Sequence, residues 1–66
     1  MEYMNAEIAR KYREAGYQTT IHLSASEAKA RMNNCYRLAK KNKDIELELI
    51  ADGAASAYAD ICEIER

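Results

Sequence analysis

The sequence predicts a mainly helical single domain with one β-strand, in the order helix, strand, helix, helix. Two segments repeat apolar residues at the three- and four-residue spacing of a helix. A stretch rich in β-branched residues separates the first helix from a serine cap. The length of 66 residues allows one domain, residues 1–66, which we divide into an N-terminal helix (1–16) and a strand-helix-helix unit (17–66).

The first helix is predicted over residues 5–15. Ile8 lies on one stripe with Tyr12 or Ala15, and the basic residues come late in the segment, which suits the helix dipole. Gly16 follows where a left-handed C-terminal cap is expected. We therefore predict that this helix ends at Gly16.

The strand is predicted over residues 17–23, which contain three β-branched residues and a tyrosine. Alternation along the strand turns Ile21 and Leu23 to one side and a polar set to the other. A single strand cannot satisfy its own backbone groups, so it needs the same strand of a second chain. The strand therefore predicts an obligate homodimer, with an outward polar set of Gln18, Thr20 and His22.

The second helix is predicted to begin at Ser24 and to end near Lys41 or Asn42. Ser24 and Glu27 have the spacing of a capping box, in which each side chain accepts a backbone N–H of the other residue. Several lysines fall near the end of the segment, as the helix dipole favours.

The last segment, from Asp44 onward, is open to two interpretations. Residues 45–49 alternate with period two, which indicates a strand followed by a turn at Asp52 and Gly53. Apolar residues also repeat at helical spacing from Leu47 to the end of the chain, and glutamate, leucine and alanine are strong helix formers. We favour a helix capped by Asp44.

Composition limits the functions that this chain can perform. Isoleucine and leucine together number ten, a thin supply for a core, so we expect oligomerisation to bury more surface. Cys35, Cys62 and the single His22 do not make a zinc site, and no cofactor is predicted. Two cysteines and no signal peptide favour the cytoplasm, and no apolar run is long enough for a membrane span. No nucleophile with an orienting base is present, so an enzyme is not expected.

Charge is unevenly distributed along a chain whose net charge is −1. Residues 10–43 carry nine lysines and arginines against two glutamates, and residues 44–66 carry seven acidic residues against one arginine. Either the two segments neutralise each other in the fold, or the basic segment faces an anionic partner such as nucleic acid.

The strand-helix-helix part resembles the ribbon-helix-helix family of dimeric DNA-binding proteins. The matching residues are 20–24 entering a helix, 38–41 at its end and 48–50 in the last helix. The resemblance implies that two paired strands enter the major groove and that alternate strand residues read the bases. A small homodimeric DNA-binding regulator is therefore our leading hypothesis, with DNA contacts at Gln18, Thr20, His22, Lys40, Lys41 and Lys43. Its expected dimer contacts are Ile21, Leu23, Leu47, Ile50, Ala54, Ala57 and Ile61.

Two alternatives remain open. With residues 45–51 as a strand, residues 17–53 resemble the first strand-helix-strand unit of the DsrE-like family, which implies a minimal α/β fold (α-β-α-β-α) whose strands pair with another chain. The second alternative concerns function. The acidic last segment and its alanine-rich seam also suit a non-enzymatic accessory or inhibitor module, of the kind a mobile element would encode, that docks on a larger protein.

Overall fold

The computed structural model describes residues 5–65, the last of them by its backbone alone. These residues form three helices, α1 (Ala6–Thr20), α2 (Ala25–Asn42) and α3 (Ile45–Glu65), and no strand occurs among them. The predicted class with one β-strand is therefore wrong, and so is the α/β alternative. The single-domain prediction also covers residues 1–4 and 66, which lie outside the described residues.

The segment predicted as a strand, residues 17–23, forms the last turn of α1 and the loop that follows it. The backbone N–H of Ile21 donates to the carbonyl oxygen of Tyr17 at 2.9 Å. The Thr19 hydroxyl donates to the carbonyl oxygen of Ala15 at 2.9 Å, a bond that lets threonine fit a helix. A helix satisfies its backbone groups locally, whereas a lone strand does not. Both family resemblances depended on this strand, and both are wrong.

The two glycines lie inside helices at the point where α1 crosses α3. A Cβ added to Gly16 would lie 2.0 Å from the carbonyl oxygen of Ile50, and one added to Gly53 would lie 1.8 Å from that of Arg13. Each glycine thus lets one backbone approach the other, as small residues do in close helix pairs. The predicted C-cap at Gly16 and the alternative turn at Gly53 are both wrong, because tertiary contact explains both residues.

The predicted capping box is confirmed. The Glu27 backbone N–H donates to the Ser24 hydroxyl oxygen, and the Ser24 backbone N–H donates to the Glu27 carboxylate, each at 3.2 Å. At the other end of α2, Lys43 takes a left-handed conformation (φ 51°) and its N–H donates to helix carbonyls. This cap ends α2 at Asn42, as predicted.

The favoured helical interpretation of the last segment is confirmed as well. The Asp44 carboxylate accepts the backbone N–H of Leu47 at 3.2 Å, the N-terminal role expected for this aspartate. Residues 45–51 belong to α3, so the alternative strand there is wrong. The helical repeat of apolar residues outweighed the short alternating run.

Helix α3 lies between the other two helices. Both α1 and α2 pack against α3 and make few contacts with each other. Tyr12 meets Glu46 near the start of α3 and Tyr17 meets Asp60 near its end, so α1 and α3 run in the same direction. The chain extends 43 × 25 × 13 Å, a flattened shape. One central helix with two flanking helices leaves much surface uncovered.

The core consists mostly of small side chains. Its buried alanines come from α2 and α3, and they are Ala28, Ala39, Ala51, Ala54 and Ala57. Of the ten isoleucines and leucines, only Leu49 and Ile61 are buried. Thr20, also fully buried, has a hydroxyl oxygen with no hydrogen-bond partner among the described residues. Alanine and glycine allow close helix packing but supply little apolar area for stability.

Candidate interaction surface

The apolar stripe of α3, defined as Leu47, Ile50, Ala54, Tyr58 and Ile61, combines buried and half-exposed residues. The spacing of three and four residues places all five along one side of the helix. Ala54 and Ile61 are covered by the chain itself, whereas Leu47, Ile50 and Tyr58 are only half-buried. The stripe therefore retains apolar area in contact with water.

The sequence-predicted dimer residues separate into two groups. Three of them, Ala54, Ala57 and Ile61, are buried within the chain's own core. The other four are half-buried: Leu47 and Ile50 in α3, and Ile21 and Leu23 in the loop after α1. Of the predicted dimer residues, only these four half-buried ones therefore keep apolar surface that a partner could cover.

Further apolar side chains are uncovered elsewhere on the surface. Leu38 is 38% exposed, Ile45 is 55% exposed and Ile64 is 79% exposed, and Ile8 is half-buried in α1. In all, eight of the ten isoleucines and leucines keep surface in water. Three of these eight side chains are exposed and five are half-buried.

Two tyrosine hydroxyls, one from each flanking helix, pair with carboxylates of α3. The Tyr36 hydroxyl of α2 donates to Asp52 at 2.5 Å, and the Tyr17 hydroxyl of α1 donates to Asp60 at 2.5 Å. The hydrogen bond to Asp52 raises the pKa of Tyr36 to about 12, and the bond to Asp60 raises the pKa of Tyr17. These pairs join each flanking helix to α3.

Two more tyrosines have raised pKa values. The negative charge of Glu46, followed by burial and a hydrogen bond to the same carboxylate, raises the pKa of Tyr12. A hydrogen bond to Cys62, one turn along α3, raises the pKa of Tyr58. No sequence signal predicted the pairs between helices, because their members lie far apart in the chain.

The sequence-predicted DNA contacts on the former strand do not form one surface. Gln18 is exposed on α1, His22 is exposed in the loop, and Thr20 is fully buried against the core. A buried hydroxyl cannot touch a base, so the alternation on which this set depended is absent. The predicted Lys40, Lys41 and Lys43 are all exposed at the end of α2.

The basic face, defined as Lys29, Arg31, Arg37, Lys40, Lys41 and Lys43, covers α2 and its C-cap. All six side chains are exposed. No aspartate or glutamate occurs between Glu27 and Asp44, so this part of the chain carries cations alone. Sequence reasoning selected the three lysines at its end and missed Lys29, Arg31 and Arg37, although this absence of carboxylates was visible in the sequence.

An open groove of about 710 Å³ lies where α2 ends and α3 begins. Its lining includes the apolar Ala39 and Ile45, the ring of Tyr36, and both cationic and anionic side chains. Mixed charge and an open shape give it no preference for one kind of ligand. Within residues 5–65, no three histidine, cysteine, aspartate or glutamate side chains are placed to hold a metal ion.

None of the described helices has both the length and the apolar character needed to cross a membrane. Comparisons with protein-family models, curated proteins and solved structures found no match to this chain.

Proposed function

We propose that this chain is a small, non-enzymatic protein-binding module that works as a homodimer, with the half-exposed residues of the apolar stripe at its interface. The observation that carries the proposal is that Leu47, Ile50 and Tyr58 of the apolar stripe are only half-buried by the chain itself. Covering apolar surface is the main favourable term in protein association. The two free thiols, Cys35 and Cys62, suit a reducing compartment such as the cytoplasm.

The half-buried residues of the apolar stripe support a second copy as the occupant. Leu47, Ile50 and Tyr58 keep apolar area in contact with water, and a dimer would cover area that the monomer's own packing leaves open.

The charge distribution also suits self-association. A net charge of −1 means that two copies repel each other little. Leu47, Ile50 and Tyr58 of the apolar stripe are uncharged, so a two-fold contact between two stripes brings no charges of like sign together.

The proposal is tested by sedimentation equilibrium of the full chain and of Leu47→Glu. Leu47 is half-buried on the apolar stripe, and a charge there must be desolvated if a second copy covers it. We expect the wild type to sediment as a dimer and Leu47→Glu to sediment as a monomer that keeps its helical circular dichroism. Tyr58→Glu, placed three turns further along the stripe, should have the same effect.

The matched control is Ser56→Glu, which adds the same charge at an exposed position on the opposite side of α3. This variant should remain dimeric. A monomeric wild type at tens of micromolar, or equal dissociation in Leu47→Glu and Ser56→Glu, would refute the proposed interface.

A further inference from the structure

The basic face presents its cations to solvent, and at its C-terminal end Lys40 and Lys43 line the same groove as Asp44 and Glu48. Helix α2 packs against the acidic α3, and one hydrogen bond between them runs from the Tyr36 hydroxyl to Asp52. Asp60 on α3 accepts the hydroxyl of Tyr17 from α1. All cations of α2 are exposed. A surface of one sign attracts polyanions over a distance of about a Debye length.

The cations are spread across the whole outward side of α2. Residues 29 and 40 are eleven positions apart, about three turns, and so lie along one edge. Arg31 lies on the other edge, and Arg37 lies between the two. A helix that presents cations on both edges can meet anionic groups on two sides at once.

This distribution fits a helix that lies in the major groove of duplex DNA. The groove is about 12 Å wide and accepts one α-helix, with a phosphate backbone along each side. The 18 residues of α2 extend about 27 Å. Lysines and arginines on both edges would contact phosphates, which supply most non-specific affinity.

The centre of the basic face carries side chains suited to base edges. Arg37 lies there with Asn33 and Asn34, and the Arg37 guanidinium donates to the Asn34 side-chain oxygen. Arginine pairs with guanine and asparagine with adenine in the major groove. Ala30, also exposed on this side of α2, has a small side chain that would not obstruct a base edge. The centre therefore differs chemically from the edges, as direct base readout requires.

We propose that the basic face binds double-stranded DNA, with α2 in the major groove. This inference goes beyond the proposed function and does not require the homodimer, since one α2 is sufficient for phosphate contacts. It also differs from the overturned strand-based hypothesis, because the contacts come from the outward side of a helix. Acidic proteins are the competing class of ligand, and the test distinguishes them.

The test measures the anisotropy of a fluorescein-labelled DNA duplex of mixed sequence against the full chain, between about 50 and 200 mM salt. The wild type should bind in the micromolar range at the lowest salt. Each phosphate contact contributes about −0.9 to the slope of log affinity against log salt. The variant Arg37→Gln/Lys40→Gln/Lys41→Gln should bind at least tenfold more weakly and, because Arg37 lies at the base edges, reduce that slope by about 1.8 through Lys40 and Lys41.

The matched control removes three cations from α1, as Arg10→Gln/Lys11→Gln/Arg13→Gln. All three side chains are exposed, so the net charge changes equally while the basic face stays intact. This variant should lose less than one unit of salt slope, and circular dichroism should be unchanged in both variants. Lys29→Gln/Arg31→Gln provides an independent removal at the other end of α2, with an expected slope reduction of about 1.8.

Three results would overturn the inference. One is no binding by the wild type at the lowest salt. Another is an equal loss of affinity in the α1 and α2 variants, which would indicate an effect of net charge alone. The third is competition by poly-glutamate as strong, per unit charge, as competition by unlabelled duplex, which would assign the basic face to acidic protein partners.

Discussion

Replacing Gly16 by alanine tests the close crossing of α1 and α3. The added Cβ would lie 2.0 Å from the Ile50 carbonyl oxygen, and ordinary contact begins at 3.4 Å. The helices must therefore separate by about 1.4 Å at the crossing, and the atom in the way belongs to the backbone, which cannot rotate aside. Thr20 and Ala57, buried near the crossing, would lose packing contacts as the helices part.

Two opposing terms set the size of the effect. In an exposed helix, changing glycine to alanine stabilises by about 1 kcal/mol. Overpacking costs about 1–3 kcal/mol in well-packed cores, and a clash with backbone belongs at or above the upper end. We expect Gly16→Ala to lower the free energy of unfolding by about 2 kcal/mol. Gly53→Ala should cost at least as much, because its Cβ would meet the Arg13 carbonyl oxygen at 1.8 Å.

Urea denaturation followed by circular dichroism, at one protein concentration, measures this change. With an m-value of about 1 kcal/mol/M for a chain this small, a loss of about 2 kcal/mol lowers the midpoint by about 2 M. Ala59→Gly, at an exposed position in α3, measures the difference in helix propensity between alanine and glycine alone. It should lower the free energy of unfolding by about 1 kcal/mol. A Gly16→Ala variant that is more stable than wild type would show that the two backbones do not meet at Gly16.

Three further predictions follow from single side chains. Thr20→Val should raise the free energy of unfolding by about 1 kcal/mol in thermal or urea melts, because it removes a buried hydroxyl that has no hydrogen-bond partner among the described residues. A variant less stable than the wild type would contradict this. Ser24→Ala should cost about 1 kcal/mol by removing the α2 cap, while Ser26→Ala, at an exposed position two residues on, should be nearly neutral. Tyr36→Phe should cost about 1 kcal/mol at neutral pH, a value reduced for a side chain that is 36% exposed. Because the folded-state pKa of Tyr36 is raised from 10.0 to about 12, its contribution is present below pH 10 and is lost as pH rises towards 12; urea midpoints of the two proteins should converge over that range, and a difference that stays constant would refute the assignment.

Features that depend on neighbouring residues were predictable. The capping box needs only Ser24 and Glu27, three positions apart, so their identities suffice to place the start of α2. The helical repeat from Leu47 to Ile61 was similarly informative, because a long periodic pattern outweighs one unfavourable glycine. The segment from Ala28 to Lys43 contains no aspartate or glutamate, so its positive charge could be read directly from the sequence.

The strand prediction failed because residues 17–23 have partners far away in the chain. Gly16 looks like a helix end until Gly53, 37 positions later, brings a second backbone against it. Thr20 looks like an exposed strand residue until α3 covers it. The preference of β-branched residues for a strand over a helix amounts to tenths of a kcal/mol per residue. The free energy gained by burying such residues against another helix exceeds this preference. Caps, helical periodicity and charge could therefore be deduced from neighbouring residues, whereas the length of α1 and the role of each glycine depended on how distant helices pack.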